Sequence, residues 1–296
     1  MRLIRTAMIA LFHRRAVSHF MSSLVYVSGK GPDVEVGDGL PLLGRGVAHD
    51  GALSEVQLSE HRMNLRVTEF CSGGESRKLH TLRENGKNIY GDVVSKAIAY
   101  AVGVLEVNAS MGLIVAAPTA GSSGVIPGVF CSLQENFGFT DEEICKVLFN
   151  AAAVGYLITR NATTAGAEGG CQAEVGAASA MAASAAVELL GGTPAQCLDA
   201  ASFAIVNILG LVCDPIGGLV ENPCQNRNAM GASNALISAE LSMAGIRSIT
   251  PIDETIGVMY AVGRSIPSEL RETSLGGMAV AKSACEACAA CAKKKR

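Results

Sequence analysis

Glu168-Gly-Gly-Cys171-Gln-Ala-Glu-Val-Gly176 opens onto an alanine-rich run that reaches Leu190 and stops at Gly191-Gly192. Alanine is the best helix former and a glycine pair is a natural C-terminal stop, so a helix is expected over 174–190. The same stretch continues through Cys213-Asp-Pro-Ile-Gly-Gly218 to Glu221-Asn-Pro-Cys224-Gln-Asn-Arg-Asn228. Each of its three cysteines stands beside a glycine or proline break and a polar residue. That pattern suits ligands gathered from separate loops better than packed side chains.

Outward from this centre the helical period persists in both directions. Downstream, Thr193-Pro194 is an N-cap followed by proline at the first helical position, predicting a helix to about Gly210. Further helices are expected over 228–244, closed by Gly245, and over 253–263. Upstream, Thr140-Asp-Glu-Glu143 is a capping box that starts a helix running to about Thr159. Before it, Val94, Ile98, Ala101, Val104 and Leu105 mark one side of a helix over 93–111, and Leu53, Val56 and Leu58 begin a weaker one. No two-residue alternation appears, so the fold class is all-α.

Composition agrees. Hydrophobic residues make up 49% of the 296 residues, charged residues only 17%, and there is no Trp. An interior of Ala, Val, Leu, Ile and Gly favours close-packed helices or a large buried partner face. The longest uncharged run, 107–134, is interrupted by Asn108, Pro118, Ser122, Ser123 and Pro127, and 200–213 falls short of the about 20 residues that a membrane span needs. A net charge of -3 gives no electrostatic footprint for nucleic acid.

Three regions are expected: an extension and linker over 1–51, a helical domain over 52–281, and a basic, cysteine-rich tail over 282–296. Residues 1–32 contain no acid but carry Arg2, Arg5, Arg14, Arg15 and Lys30, the composition of an organellar transit peptide or of a frayed extension. The location expected is cytoplasmic, or organellar if that segment targets. Ten cysteines without a secretory signal point to reduced thiols and metal ligation, not to disulfides.

Cys131, Cys145 and Cys197 lie in apolar helical runs and read as core thiols. Cys171 follows Gly169-Gly170 at a helix start, where the dipole favours the thiolate; Cys213 is expected to end the helix before Asp214-Pro215, and Cys224 precedes the next helix. Separations of 42 and 11 residues match no compact ferredoxin or zinc pattern. Cys285-Glu-Ala-Cys288-Ala-Ala-Cys291 has the ferredoxin spacing but sits five residues from the end with little chain to enclose a cluster. The loop 119–124 offers amides and the hydroxyls of Thr119, Ser122 and Ser123 to a carboxylate or phosphate, or else is a tight helix connection. All five histidines precede residue 81. A base for the cysteine loops is therefore a carboxylate, Lys or Tyr, one of those histidines, or a group on another chain.

Six motifs carry a resemblance. Asn108-Ala-Ser-Met-Gly112, Ala116-Ala-Pro-Thr-Ala-Gly-Ser-Ser-Gly124, Gly166-Ala-Glu-Gly-Gly-Cys-Gln-Ala-Glu-Val-Gly176, Leu211-Val-Cys-Asp-Pro-Ile-Gly-Gly-Leu-Val220, Pro223-Cys-Gln-Asn-Arg-Asn-Ala-Met-Gly231 and Leu270-Arg-Glu-Thr-Ser-Leu-Gly-Gly277, in this order, resemble the alpha subunit of iron-sulfur-dependent L-serine dehydratases. The resemblance runs from about Gly73 to Ala279. It implies a helical fold, a [4Fe-4S] cluster on Cys171, Cys213 and Cys224, and deamination of L-serine to pyruvate and ammonia without pyridoxal phosphate. One iron left open would act as a Lewis acid on the substrate hydroxyl. Thr119, Ser122 and Ser123 become candidates for holding the substrate carboxylate, with Arg227 as a charged partner. A beta subunit that contributes to the active site is also implied, and association with further copies of the chain fits the same picture. The region before residue 70 and the terminal cysteines depart from the family pattern.

Three other readings stay open. A pyridoxal-phosphate dehydratase needs a Schiff-base lysine, yet Lys87, Lys96 and Lys146 lie in no such motif. An electron-transfer or iron-binding protein would use the tail cysteines. An alpha-like subunit could bind a cluster without activity alone.

Overall fold

The computed structural model describes residues 74–287. The expected extension, linker and first weak helix, together with Cys71, Cys288 and Cys291, lie outside them. Nine helices follow in order: α1 (Glu75–Glu84), α2 (Asp92–Ala109), α3 (Val125–Phe137), α4 (Asp141–Asn161), α5 (Gly166–Gly169), α6 (Cys171–Leu189), α7 (Pro194–Asn207), α8 (Cys224–Met243) and α9 (Ile252–Ser265). Short 3-10 turns occupy 120–122, 216–218, 268–270 and 277–280, and a last helical segment covers 282–287. No strand occurs among the described residues, which makes the fold all-α as expected.

Helix α6 is the axis of the molecule. Of its 19 residues, 16 are buried, and α4, α7 and α8 surround it with α3 beside them. A helix that is apolar all round belongs inside a domain, and its alanines let neighbours approach from every side. The core runs through Ala177, Ala180, Ala183 and Val187 of α6 to Val154, Ala201 and Ala235 on the surrounding helices.

Polar side chains tie this packing together. Ser179 Oγ donates to Gly231 O at 2.8 Å, and Asn234 Nδ2 donates to Ser179 Oγ and to Ala204 O, linking α6, α7 and α8. Each of these donors has a partner, so the network fixes register without the penalty of an unpaired polar group.

Local signals locate the helix starts. Thr140 and Thr193 each form a complete capping box, with Glu143 and Gln196 respectively, and Pro194 stands at the first position of α7. Other boundaries differ from expectation. Helix α6 begins three residues earlier, at Cys171, and α8 four residues earlier, at Cys224. Helix α7 ends at Asn207, so Cys213 does not end a helix: it lies in extended chain bridged to Arg271. Gly210, at φ 86°, turns the chain out of helical geometry before the cysteine. Cys131 and Cys197 are buried as expected, but Cys145 is only half-buried, because its position on α4 turns partly toward solvent.

Candidate metal centre

The N-terminus of α6, the extended segment 211–215 and the N-terminus of α8 meet at one buried place. Gly170 makes the entry to α6 possible. Its φ is 75°, and a Cβ there would lie 2.6 Å from Leu211 O, so only glycine lets the 211–213 segment pass. Gln172 then locks the approach: its amide N–H donates to Leu211 O, its Oε1 accepts from Gly210 N at 2.8 Å, and its Nε2 donates to Met259 O.

Cys171, Cys213 and Cys224 are all buried. The sulfurs of Cys171 and Cys213 and a carboxylate oxygen of Glu174 lie within 4.8 Å of one another, a grouping able to hold a metal ion. Cys224 stands outside that trio, yet near enough for negative charge on Cys171 to push its thiol up. Two long helices thus direct their N-terminal dipoles at the sulfurs, which favours anionic ligands.

The thiols are not equivalent. A hydrogen bond from Cys213 stabilises the Cys171 thiolate and lowers its pKa, with the Arg227 guanidinium adding to this against burial and the Glu174 charge. The same bond, with burial, holds the Cys213 proton on and raises that thiol. Burial chiefly pushes Cys224 up to about 12. Arg227 is committed three ways: Nη1 donates to Cys171 Sγ at 3.4 Å and to Val212 O at 2.8 Å, and Nη2 pairs with Asp214 at 2.7 Å.

Glu174 is the residue that sequence reading passed over. It lies one helical turn after Cys171, so both side chains emerge on one face. Its Oε1 accepts from Thr119 Oγ1 at 2.9 Å and its Oε2 is 4.0 Å from Cys213 Sγ. Burial, with the charge of Glu272 behind it, pushes the Glu174 carboxyl up to about 7 against the Thr119 hydrogen bond. The i, i+3 spacing from Cys171 was the available signal.

The loop 119–124 reaches the centre through this carboxylate. Thr119 Oγ1 also meets Ser122 Oγ at 3.0 Å, while Ser123 Oγ turns back onto Ala120 O at 2.8 Å. Ser122 and Ser123 are fully buried and Thr119 is half-buried. Asn228 holds the loop from α8, accepting from Gly124 N and donating to Gly121 O and Cys224 O. Of the histidines, only His80 is among the described residues, and it is engaged on α1 with Glu84 and Arg83.

These features define an all-helical protein with a buried thiolate and carboxylate centre built where two helix N-termini converge. The family described as serine dehydratase alpha chain matches residues 52–279, and this chain belongs to it. The chain is 52% identical over 217 residues to the L-serine dehydratase alpha chain of Peptoniphilus asaccharolyticus, covering 73% of this chain and 74% of that one. It is 49% identical over 231 residues to the probable L-serine dehydratase alpha chain of Bacillus subtilis (strain 168), covering 78% and 77%. The L-serine dehydratase of Helicobacter pylori (strain J99 / ATCC 700824) is 42% identical over 234 residues, which cover 78% of this chain but 50% of that relative. No helix among the described residues is long and apolar enough to cross a membrane.

Proposed function

We propose that this chain is the alpha subunit of an iron-sulfur L-serine dehydratase, a lyase that converts L-serine to pyruvate and ammonia together with a beta chain. The observation that carries the reading is the grouping of Cys171, Glu174 and Cys213, with Cys224 buried outside that trio, inside a member of the serine dehydratase alpha chain family.

The donor set fits an iron-sulfur cluster. Thiolates are its usual ligands, and Arg227 and two helix ends supply the positive potential that such ligands need. Space fits as well, because a Cβ at Gly166 would stand 3.1 Å from Cys213 Sγ and 2.7 Å from Glu174 Oε2. Cys171, Cys213 and Cys224 would hold a [4Fe-4S] cluster.

When bound, the cluster supplies a Lewis acid that makes the serine hydroxyl a better leaving group. This chain's residues arrange what surrounds it. Arg227 holds the Cys171 sulfur as a thiolate and is occupied by that sulfur and Asp214, so it orients the ligands and does not clamp the substrate. Thr119 is the hydroxyl of its loop that faces the centre, with Ser122 hydrogen-bonded to it and Ser123 bracing the turn. Loss of the Cα proton and of the β-hydroxide, together one water, leaves an aminoacrylate, which tautomerises to an imine that water hydrolyses to pyruvate and ammonia. The base comes from the beta chain.

The test is anaerobic reconstitution with iron and sulfide. Cys171→Ser should abolish the visible thiolate-to-iron absorbance and pyruvate formation together, and an unchanged spectrum would refute the ligand assignment. Deletion of 283–296 should leave the absorbance in place; total loss of iron on that deletion would favour the electron-transfer or iron-binding reading.

A further inference from the structure

We infer that Asn228 is a positioning residue that couples the filling of the Cys224 position to the geometry of the 119–124 loop, which rests on the reading of Cys224 as a cluster ligand. Asn228 is wholly buried on α8, four residues after Cys224 and so on the same face of that helix. Its carboxamide works at both ends. Oδ1 accepts from Gly124 N at 3.0 Å, while Nδ2 donates to Gly121 O at 2.7 Å and to Cys224 O at 2.9 Å. One side chain thus joins the helical turn that carries a candidate ligand to a loop 104 to 107 residues earlier in the chain.

The rest of the loop is held from the other side or stands against the centre. A Cβ at Gly124 would lie 2.2 Å from Ala101 O, so the loop's end is seated directly on α2, and Asn108 of α2 donates to Ala120 O at 3.1 Å. A Cβ at Gly121 would lie 3.3 Å from Glu174 Oε1, the oxygen to which Thr119 Oγ1 donates. A shift in the first turn of α8 therefore reaches Gly121 through Asn228, and Glu174 and Thr119 lie next to it. The coupling is reciprocal: a loop fixed by Asn228 also holds the turn of Cys224 ready for its ligand.

The position asks for one acceptor and two donors within a single short side chain, and a carboxamide supplies them. Aspartate has the same shape but turns an acceptor oxygen toward the carbonyls of Gly121 and Cys224. It fills the space and opens the link. Asn234, elsewhere on α8, makes a comparable buried bridge, but its bonds go to Ser179 and Ala204 on neighbouring helices and touch no candidate ligand.

The test compares Asn228→Asp with Asn108→Asp in complex with the beta chain, before and after anaerobic reconstitution with iron and sulfide. Amide hydrogen exchange is the direct readout. In the parent, reconstitution should slow exchange across 119–124 by about tenfold, the scale of one hydrogen bond. Asn228→Asp should lose that response, and Asn108→Asp, which loosens the same loop without touching α8, should keep it. Since the loop's hydroxyls are the candidates for holding the substrate carboxylate, Asn228→Asp should also raise KM for L-serine by about tenfold while changing kcat far less. An exchange response that survives in Asn228→Asp overturns the coupling, as does one lost equally in Asn108→Asp. Should Asn228→Asp fail to fold, Asn228→Ser still bonds back to Cys224 O but cannot reach the loop, and it must lose the response too; if it keeps it, the coupling is refuted. A parent complex that gains no visible absorbance on reconstitution overturns the ligand reading and this coupling together. A complex that shows the Asn228-dependent response but makes no pyruvate from L-serine overturns the function alone.

Discussion

At the scale of single residues, the centre depends on one buried ion pair. Asp214 is 2% exposed, and the Arg227 side chain that pairs with it is 12% exposed, so water screens neither well. A buried pair is weak evidence for net stability, but removing one partner strands the other. Arg227→Gln should therefore destabilise the chain by about 3–5 kcal/mol in denaturant unfolding. Asp214→Asn in the same background should recover part of that loss. Strictly additive losses in the double-mutant cycle would mean that the two residues do not act as a pair. Sequence reading singled out Arg227 for its charge beside Cys224 but could not see that Asp214 and Cys171 claim it, because those contacts join segments far apart in the chain.

At the scale of elements, legibility followed locality. The starts of α4 and α7 were readable because a capping box is written within four residues. Helix α1 was not anticipated: its sequence Glu-Ser-Arg-Lys-Leu-His-Thr-Leu-Arg-Glu has little apolar stripe, and it forms against α2, with Glu106 accepting from Glu75 N. The extended state of Cys213 was equally hidden, since its pairing partner is the segment 270–272. Between α4 and α6 runs a ladder in which Ser184 Oγ donates to Asn150 Oδ1 and Asn150 Nδ2 donates to Glu188 Oε2. Burial raises the Glu188 carboxyl, with the Asn150 bond opposing it. A carboxyl raised in the folded state gives stability that is fully present below the unfolded value of about 4.3 and is lost as pH climbs through the folded value. Gln at 188 keeps an acceptor for Asn150 without the charge. Glu188→Gln should thus have a higher Tm than the parent at pH 8, with the gap closing at pH 4; a gap independent of pH would assign the effect to packing instead.

At the scale of the molecule, the alanine-rich axis and the cysteine loops were legible for opposite reasons. Composition alone announces a helix such as α6, whereas Cys171, Cys213 and Cys224 have no diagnostic spacing and were identified through their flanking motifs. The architecture brings the candidate groups together from distant segments. Helices α6 and α8 bring sulfurs and positive helix ends, α6 also brings the Glu174 carboxylate, and the 119–124 loop brings hydroxyls, while the described residues place no histidine beside them. His80 is tied to Glu84 on α1. Reconstituted alone, this chain should show the cluster's visible absorbance with little pyruvate formation. Adding a beta chain should raise kcat by about 10²-fold or more, the range of a positioned general base, without changing the iron content. Full activity of the isolated chain would place the base within it and make Glu174 the first residue to replace.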